Sequence, residues 1–393
     1  MKSGSWASII SIYAFGVVAV AGLSKMMPLL ADFHRALGAT PGQFAFLISL
    51  LALPTALFAA IGGAVVDRVG ARRGLIFSGL IGITANTLYL FADSVTSFQT
   101  IRILEGLTMM GVFTSAPALL MATTSGERRV AAMTLWSTYT PIGISTGLLL
   151  ASVFAGSEHW RWTFAAHGAL FALVVLVGLW LPKPAADQAK IARPSLAGLL
   201  AIYTDSGPVR LSLGFGLVVC IGLGISVVLP TYFAHRFSIP VGTASRLLAG
   251  ANFAMLIGAY LSNRCFGLGK RYFLSLAAVG VGAGIVLFAL PLPLPGAVTA
   301  LAICLAAGGG GTSFLLATLP GVVADPRRGA AAAGLLGQIS SITTFLTPPF
   351  WIFLYGHGGW AAFVAMIAGG WCLSFLLMPA VAWRTAALRG KVA

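Results

Sequence analysis

Charge is what this chain most lacks. Of its 393 residues 8 % are charged, and nine acidic side chains stand against 24 lysines and arginines. A water-soluble chain carries roughly 25 % charged residues, so this composition excludes an ordinary soluble globular protein. Cysteine is sparse too. Cys220, Cys265, Cys304 and Cys372 are scattered through apolar runs without zinc or redox spacing, and read as packing residues. No His-Glu-x-x-His appears, and Gly308–Gly311 is not followed by Gly-Lys-Ser/Thr, so neither a zinc protease nor a phosphate loop is present. Gly143-Ile-Ser145-Thr-Gly147 fits the hydrolase elbow in letters, but it lies in a small-residue apolar run without strand–turn–helix context or His and Asp partners. An enzyme, a metal and a cofactor are therefore not expected. Work done by this chain must draw on an ion or solute gradient and not on ATP.

What the chain has in abundance is apolar length. Hydrophobic residues make up 58 % and the mean hydropathy is +0.95. A spanning helix takes about 20 residues, so the chain can hold roughly a dozen. Twelve apolar runs are read at 6–31, 43–66, 74–92, 99–122, 130–155, 161–181, 208–235, 242–264, 272–290, 296–319, 330–354 and 361–384. The longest polar stretch, 182–207, divides the chain into an N-terminal bundle, 1–181, and a C-terminal bundle, 208–393. The N-terminal run lacks a small-residue cleavage site and continues to full length, so no cleavable signal peptide is expected. The net charge of +15 would suit nucleic acid, yet the basic residues form small clusters between runs, not one patch. With the N-terminus cytoplasmic, 18 of the 24 lysines and arginines fall in inner segments. Both termini are accordingly expected in the cytoplasm.

The hairpin between the second and third runs carries the sharpest motif. Gly63, Asp67, Arg68, Gly70, Arg72 and Arg73 match Gly-x-x-x-Asp-Arg-x-Gly-x-Arg-Arg, which resembles the loop 2–3 signature of the major facilitator superfamily. Arg102-Ile-Leu-Glu-Gly106 with Gly111 resembles its fourth-helix signature, whose arginine the resemblance links to proton coupling. Thr140-Pro141-Ile-Gly143-Ile-Ser-Thr-Gly147 partly resembles the antiporter signature; Thr140 replaces the glycine before proline, which weakens an inference of export. Pro141, Gly143 and Gly147 are expected to form a hinge in helix 5. The halves also repeat at an offset near 199–200: Arg128-Arg129-Val-Ala-Ala answers Arg327-Arg328-Gly-Ala-Ala, and Ser262 stands where Asp67 does. The resemblance implies an all-α polytopic membrane protein of twelve helices in two six-helix pseudo-repeats, lodged in a bacterial inner membrane and complete as a monomer. Transport by alternating access follows from it, with helices 1, 4, 7 and 10 lining the path. It also implies that Asp67 latches one state against the helix opened by Gly329.

Ionisable groups inside a membrane cost on the order of 2.5–3.5 kcal/mol each and are usually functional. Lys25 either snorkels to the outer interface or anchors an anionic substrate. Arg102 and Glu105 share a helical face at i and i+3; they form either a structural ion pair or a tuned, titrating carboxylate. Arg246 either snorkels or joins Lys25. His167 is a packing histidine or a proton relay, and Asp32 a solvated helix end or a coupling carboxylate. Tyr13, Asn86, Tyr139, Asn252 and Gln338 are candidate polar wall groups. The function expected is secondary transport of a small organic solute, an organic anion, with protons or another ion as coupling partner. The alternative is a proton-driven exporter of amphipathic drugs or metabolites. A ligand sensor would call for an added cytoplasmic domain.

Overall fold

The computed structural model describes residues 1–182, 201–323 and 329–380, and every regular element among them is helical. The first run does not stay one helix. Pro28 supplies no N–H for the Ser24 carbonyl, so α1 (Trp6–Ser24) ends there; a 3-10 turn, Met27–Leu29, leads into the short α2 (Leu30–Leu37). The second run breaks for the same reason at Pro54. α3 (Pro41–Ser49) starts with a Thr40–Gln43 capping box, and α4 (Leu53–Val69) follows at a bend of 40°. Gly70, at φ +91°, makes the tight turn into α5 (Ala71–Leu88), a conformation that a side chain would strain. Then come α6 (Val95–Thr123), α7 (Gly126–Trp136), α8 (Tyr139–Ser152) and α9 (Trp162–Gly178). The α7–α8 break falls where Pro141 removes the donor for the Ser137 carbonyl.

After the linker come α10 (Ser206–Phe237), α11 (Val241–Asn252), α12 (Ala254–Cys265), α13 (Lys270–Ala289), α14 (Leu294–Val322), α15 (Gly329–His357) and α16 (Gly359–Leu377). Seven described stretches are long and apolar enough to cross a membrane, and the bent α3–α4 pair makes an eighth. The remaining runs also carry helix, so the elements are consistent with twelve spans.

The chain divides into two compact units, Met1–Ala192 with Leu229–Ala249, and Arg193–Val228 with Gly250–Ala393. In the first, α1 packs on α8, α6 and α9, and α5 packs on α6 and α9. Its core is built from Ile9, Ile12, Phe15, Leu75, Val112, Leu119 and Phe171, all nearly or wholly buried. The α1–α8 approach is backbone-close. A Cβ at Gly143 would lie 2.6 Å from Val20 Cβ, and one at Gly147 would run into Ala21 O and Ser24 Oγ. Small residues permit this contact, and Ser24 Oγ uses it to donate to Ile144 O at 2.9 Å. In the second unit α12 and α13 pack against α14, α16 packs against α13, and Ser262 Oγ donates to Gly310 O at 2.8 Å.

Candidate functional site

The break that ends α1 sets up the site. Lys25 is the C-cap of α1, its own N–H on Ala21 O, at the helix end where the dipole favours a cation. Its side chain turns into the bundle and is 0 % exposed. Two other helices present pairs at i and i+3, which place side chains on one face: Asn86 on α5 with Tyr89, its C-cap, and Arg102 with Glu105 on α6. His167, on α9, completes a ring of six buried polar side chains.

Lys25 Nζ donates to Glu105 Oε1 at 2.7 Å and to Asn86 Oδ1 at 2.5 Å, and lies 2.9 Å from His167 Nδ1. Three ammonium protons thus meet three acceptors. Asn86 is oriented by its Nδ2, which donates to Gly82 O at 2.8 Å. His167 Nε2 lies 2.8 Å from Val18 O, an acceptor without a proton, so Nε2 carries the hydrogen and Nδ1 the lone pair. The other carboxylate oxygen, Glu105 Oε2, accepts from Arg102 Nη1 at 2.8 Å and from Tyr89 O–H at 2.9 Å.

Arg102 reaches further. Its Nε donates to Leu47 O at 2.7 Å and its Nη1 to Gly22 O at 2.8 Å. These carbonyls belong to the last turns of α3 and α1, where helix dipoles concentrate about half a negative charge each. Part of the guanidinium charge is offset there. Two cations against one carboxylate still leave a formal charge of +1 inside the bundle. Such a set persists only when its hydrogen bonds are complete, because desolvation costs several kcal/mol per ion. Gly22 makes room, since a Cβ there would stand 3.0 Å from Glu105 Oε1. Above the ions sits an aromatic group of Phe33, Phe44, Tyr89, Phe98, Trp160 and Phe164, with centroids as close as 4.6 Å. Tyr89 and Phe164 rings lie 5.0 and 5.1 Å from Lys25 Nζ.

The structure therefore brings together Lys25, Arg102, Glu105 and His167 with Asn86, and adds Tyr89, which sequence reasoning did not single out. Its one legible signal was its position three residues after Asn86. The other expected site residues lie elsewhere. Asp32 is buried at 1 % exposure, pairs with Arg35 Nη2 at 3.0 Å and accepts from the Gly156 N–H at 3.0 Å. Arg246 is exposed and donates to Thr243 Oγ1 at 3.0 Å. Tyr13 pairs with Thr138 Oγ1 at 2.9 Å, and Tyr139 packs on Trp136 and Phe113. Asn252 is buried at the end of α11, and Gln338 accepts from Tyr203 O–H. Pro141, Gly143 and Gly147 lie on α8, the two glycines against α1.

In the loop 2–3 motif, Gly63 is partly buried, Arg68 and Arg73 are exposed, and Gly70 forms the turn. Arg72 donates to Leu181 O at 2.9 Å and Leu179 O at 2.6 Å, past the end of α9. The Asp67 side chain lies outside the described residues, as do most of the linker 182–207 and the side chain of Ala330 that follows Gly329. In the second unit an apolar cleft of about 430 Å³ lies between α10, α15 and α16, lined by Leu217, Cys220, Thr343, Thr347 and Phe350. Among the described residues, no group of three or more His, Cys, Asp or Glu is placed to hold a metal ion.

The sequence profile of the Major Facilitator Superfamily matches residues 10–348. The inner membrane transport protein YnfM of Escherichia coli is 24 % identical over 269 residues, 67 % of this chain and 63 % of its own. The multidrug export protein EmrB of Haemophilus influenzae is 24 % identical over 181 residues, 46 % of this chain and 35 % of its own. The matched stretches thus span less than two thirds of either relative. A bacterial homolog of the human lysosomal transporter Spinster, solved inward-facing and unoccupied, superposes at a TM-score of 0.71. That alignment covers 100 % of this chain and 98 % of the other at 15 % identity, a likeness of fold.

Proposed function

This chain belongs to the Major Facilitator Superfamily, and from that premise we propose that it is a proton-coupled secondary transporter of a small organic anion. Its family and fold are those of a transporter, not of an enzyme. It works in the bacterial inner membrane by alternating access, with residues 1–181 and 208–393 as its moving halves. The observation that carries this reading is the buried cluster around Glu105. A bundle that needed only to insert and pack would not retain three formal charges at roughly 2.5–3.5 kcal/mol each. Arg102, Glu105 and His167 form the group through which the proton is coupled, and Asp32 holds the loop at Gly156. The formal excess of positive charge favours an anionic cargo: a carboxylate reaching Lys25 joins Glu105 as its counter-charge. Arg246 recruits the same charge, while Tyr13, Tyr139, Asn252 and Gln338 serve as polar wall groups. Gly63, Asp67, Arg68, Gly70, Arg72 and Arg73 form the latch, and Pro141 with its two glycines the hinge.

The test is uptake into liposomes holding the purified protein, with organic anions set against lipophilic cations, with and without a proton gradient. Anion uptake that needs the gradient and disappears in Lys25→Ala is the expected result. The second reading, proton-driven export of amphipathic compounds, is favoured by the likeness to EmrB. Cation transport surviving Lys25→Ala would establish that reading in place of the first.

A further inference from the structure

The six side chains around Lys25 do not have equal freedom to take up a proton. Glu105 is surrounded by donors: Lys25 on Oε1, Arg102 and Tyr89 on Oε2. A proton added to that carboxyl would point at groups that themselves donate, and would leave Lys25 and Arg102 without a counter-charge. The contact between Lys25 and His167 has the opposite character. Nδ1 carries a lone pair, because Nε2–H is committed to Val18 O, and it faces an ammonium N–H at 2.9 Å. When one proton moves from Nζ to Nδ1, the imidazolium Nδ1–H faces the amine lone pair at 2.9 Å, with Asn86 Oδ1 at 3.1 Å and Glu105 Oε1 at 3.5 Å as further acceptors. The two protons left on Nζ stay on Glu105 and Asn86. No group loses a partner and no side chain has to rotate.

We propose that the exchangeable proton of this site is shared between Lys25 Nζ and His167 Nδ1, and that Glu105 is a permanent carboxylate anchoring Lys25 and Arg102. On release the proton passes to water, the pair is left as amine and imidazole, and the formal charge of the cluster falls from +1 to zero. Reuptake reverses these steps. The titratable and charged groups facing the pair are Tyr89 from α5 and Arg102 and Glu105 from α6. Asn86 from α5 is the neutral acceptor, held in place by Gly82 O at 2.8 Å. From α1 and α3 come the Val18, Gly22 and Leu47 carbonyls, and α8 approaches with Gly147. The Phe164 ring, from α9, and the Tyr89 ring beside Nζ tolerate a cation without supplying a base.

This inference rests on the coupling reading above for the use made of the proton, but the seat of the proton is measured separately. The chain has three glutamates, Glu105, Glu127 and Glu158, and five histidines, so labelling these two residue types suffices. The full-length protein, with ring-¹⁵N histidine and carboxyl-¹³C glutamate, is followed in liposomes by solid-state NMR as pH is varied. One imidazole signal, absent from His167→Gln, is expected to convert between neutral and protonated forms while Glu105 keeps its carboxylate shift. In Lys25→Met the midpoint of that conversion should move by about one pH unit or more, the mark of coupled sites. An unmoved midpoint overturns sharing. A Glu105 signal that converts to the acid, or a cluster in which neither signal converts, overturns the proposal outright. Uptake in the same liposomes separates the two readings: a converting His167 with uptake indifferent to the proton gradient keeps this seat and removes the coupling role.

Discussion

Removing Glu105 should cost this protein more than removing Lys25, although the two form one ion pair at 2.7 Å. The difference comes from Arg102, which contacts the same carboxylate at 2.8 Å. In Glu105→Gln both cations stay buried with no carboxylate between them, and breaking a buried pair in this way costs about 3–5 kcal/mol. In Lys25→Met, Arg102 still neutralises Glu105 and methionine refills the space. The remaining loss is that of the acceptors Lys25 served, about 1–3 kcal/mol. His167, with Nδ1 3.5 Å from Glu105 Oε1, can take the proton and stand in for the ammonium.

At roughly 2–4 °C per kcal/mol for a unit of 150–250 residues, Glu105→Gln lowers Tm by about 6–20 °C and Lys25→Met by about 2–12 °C. The decisive comparison is the double variant. In the Glu105→Gln background, Lys25→Met removes an uncompensated cation and should raise Tm, reversing its sign in the wild type. Heat unfolding of the solubilised protein, read by tryptophan fluorescence, measures all four corners of the cycle. A Lys25→Met change that lowers Tm further in the Glu105→Gln background refutes the charge reasoning.

Three further outcomes are expected. Gly147→Val drives a side chain toward Ala21 O, Ser24 Oγ and the Lys25 N–H, and should cost about 1–3 kcal/mol by overpacking. Gly334→Ala, where nothing lies within 4 Å of the new Cβ, should stay within about 0.5 kcal/mol of wild type in the same melts; equal losses in both would dismiss the close-contact account. Asp32→Ala removes the acceptor for Gly156 N–H and Arg35, and should cost about 1–3 kcal/mol. Limited proteolysis across residues 153–159 should quicken with it, and an unchanged cleavage rate would mean that Asp32 does not hold this loop. Asp67→Asn is expected to slow turnover in liposomes while cargo binding persists; intact turnover would sink the latch.

What could be read along the chain is what each segment carries by itself. Apolar length, the prolines that break helices, the basic clusters between runs and the loop 2–3 glycines are local properties, because a bilayer tests every span for length and polarity separately. The i and i+3 pairing of Arg102 with Glu105 was legible for the same reason, and so was the oddity of a lysine near Pro28. Tertiary structure alone decided that Lys25 meets Glu105, 80 residues away, Asn86, 61 away, and His167, 142 away. It also decided that Asp32 is buried against Gly156 and not left at a wet helix end. In a water-soluble bundle an amphipathic stripe marks the inner face of each helix. Here lipid and core are both apolar, so α1, α5, α6 and α9 carry no such stripe, and the faces they turn to one another are set by packing, by small residues such as Gly22 and Gly147, and by the ions themselves.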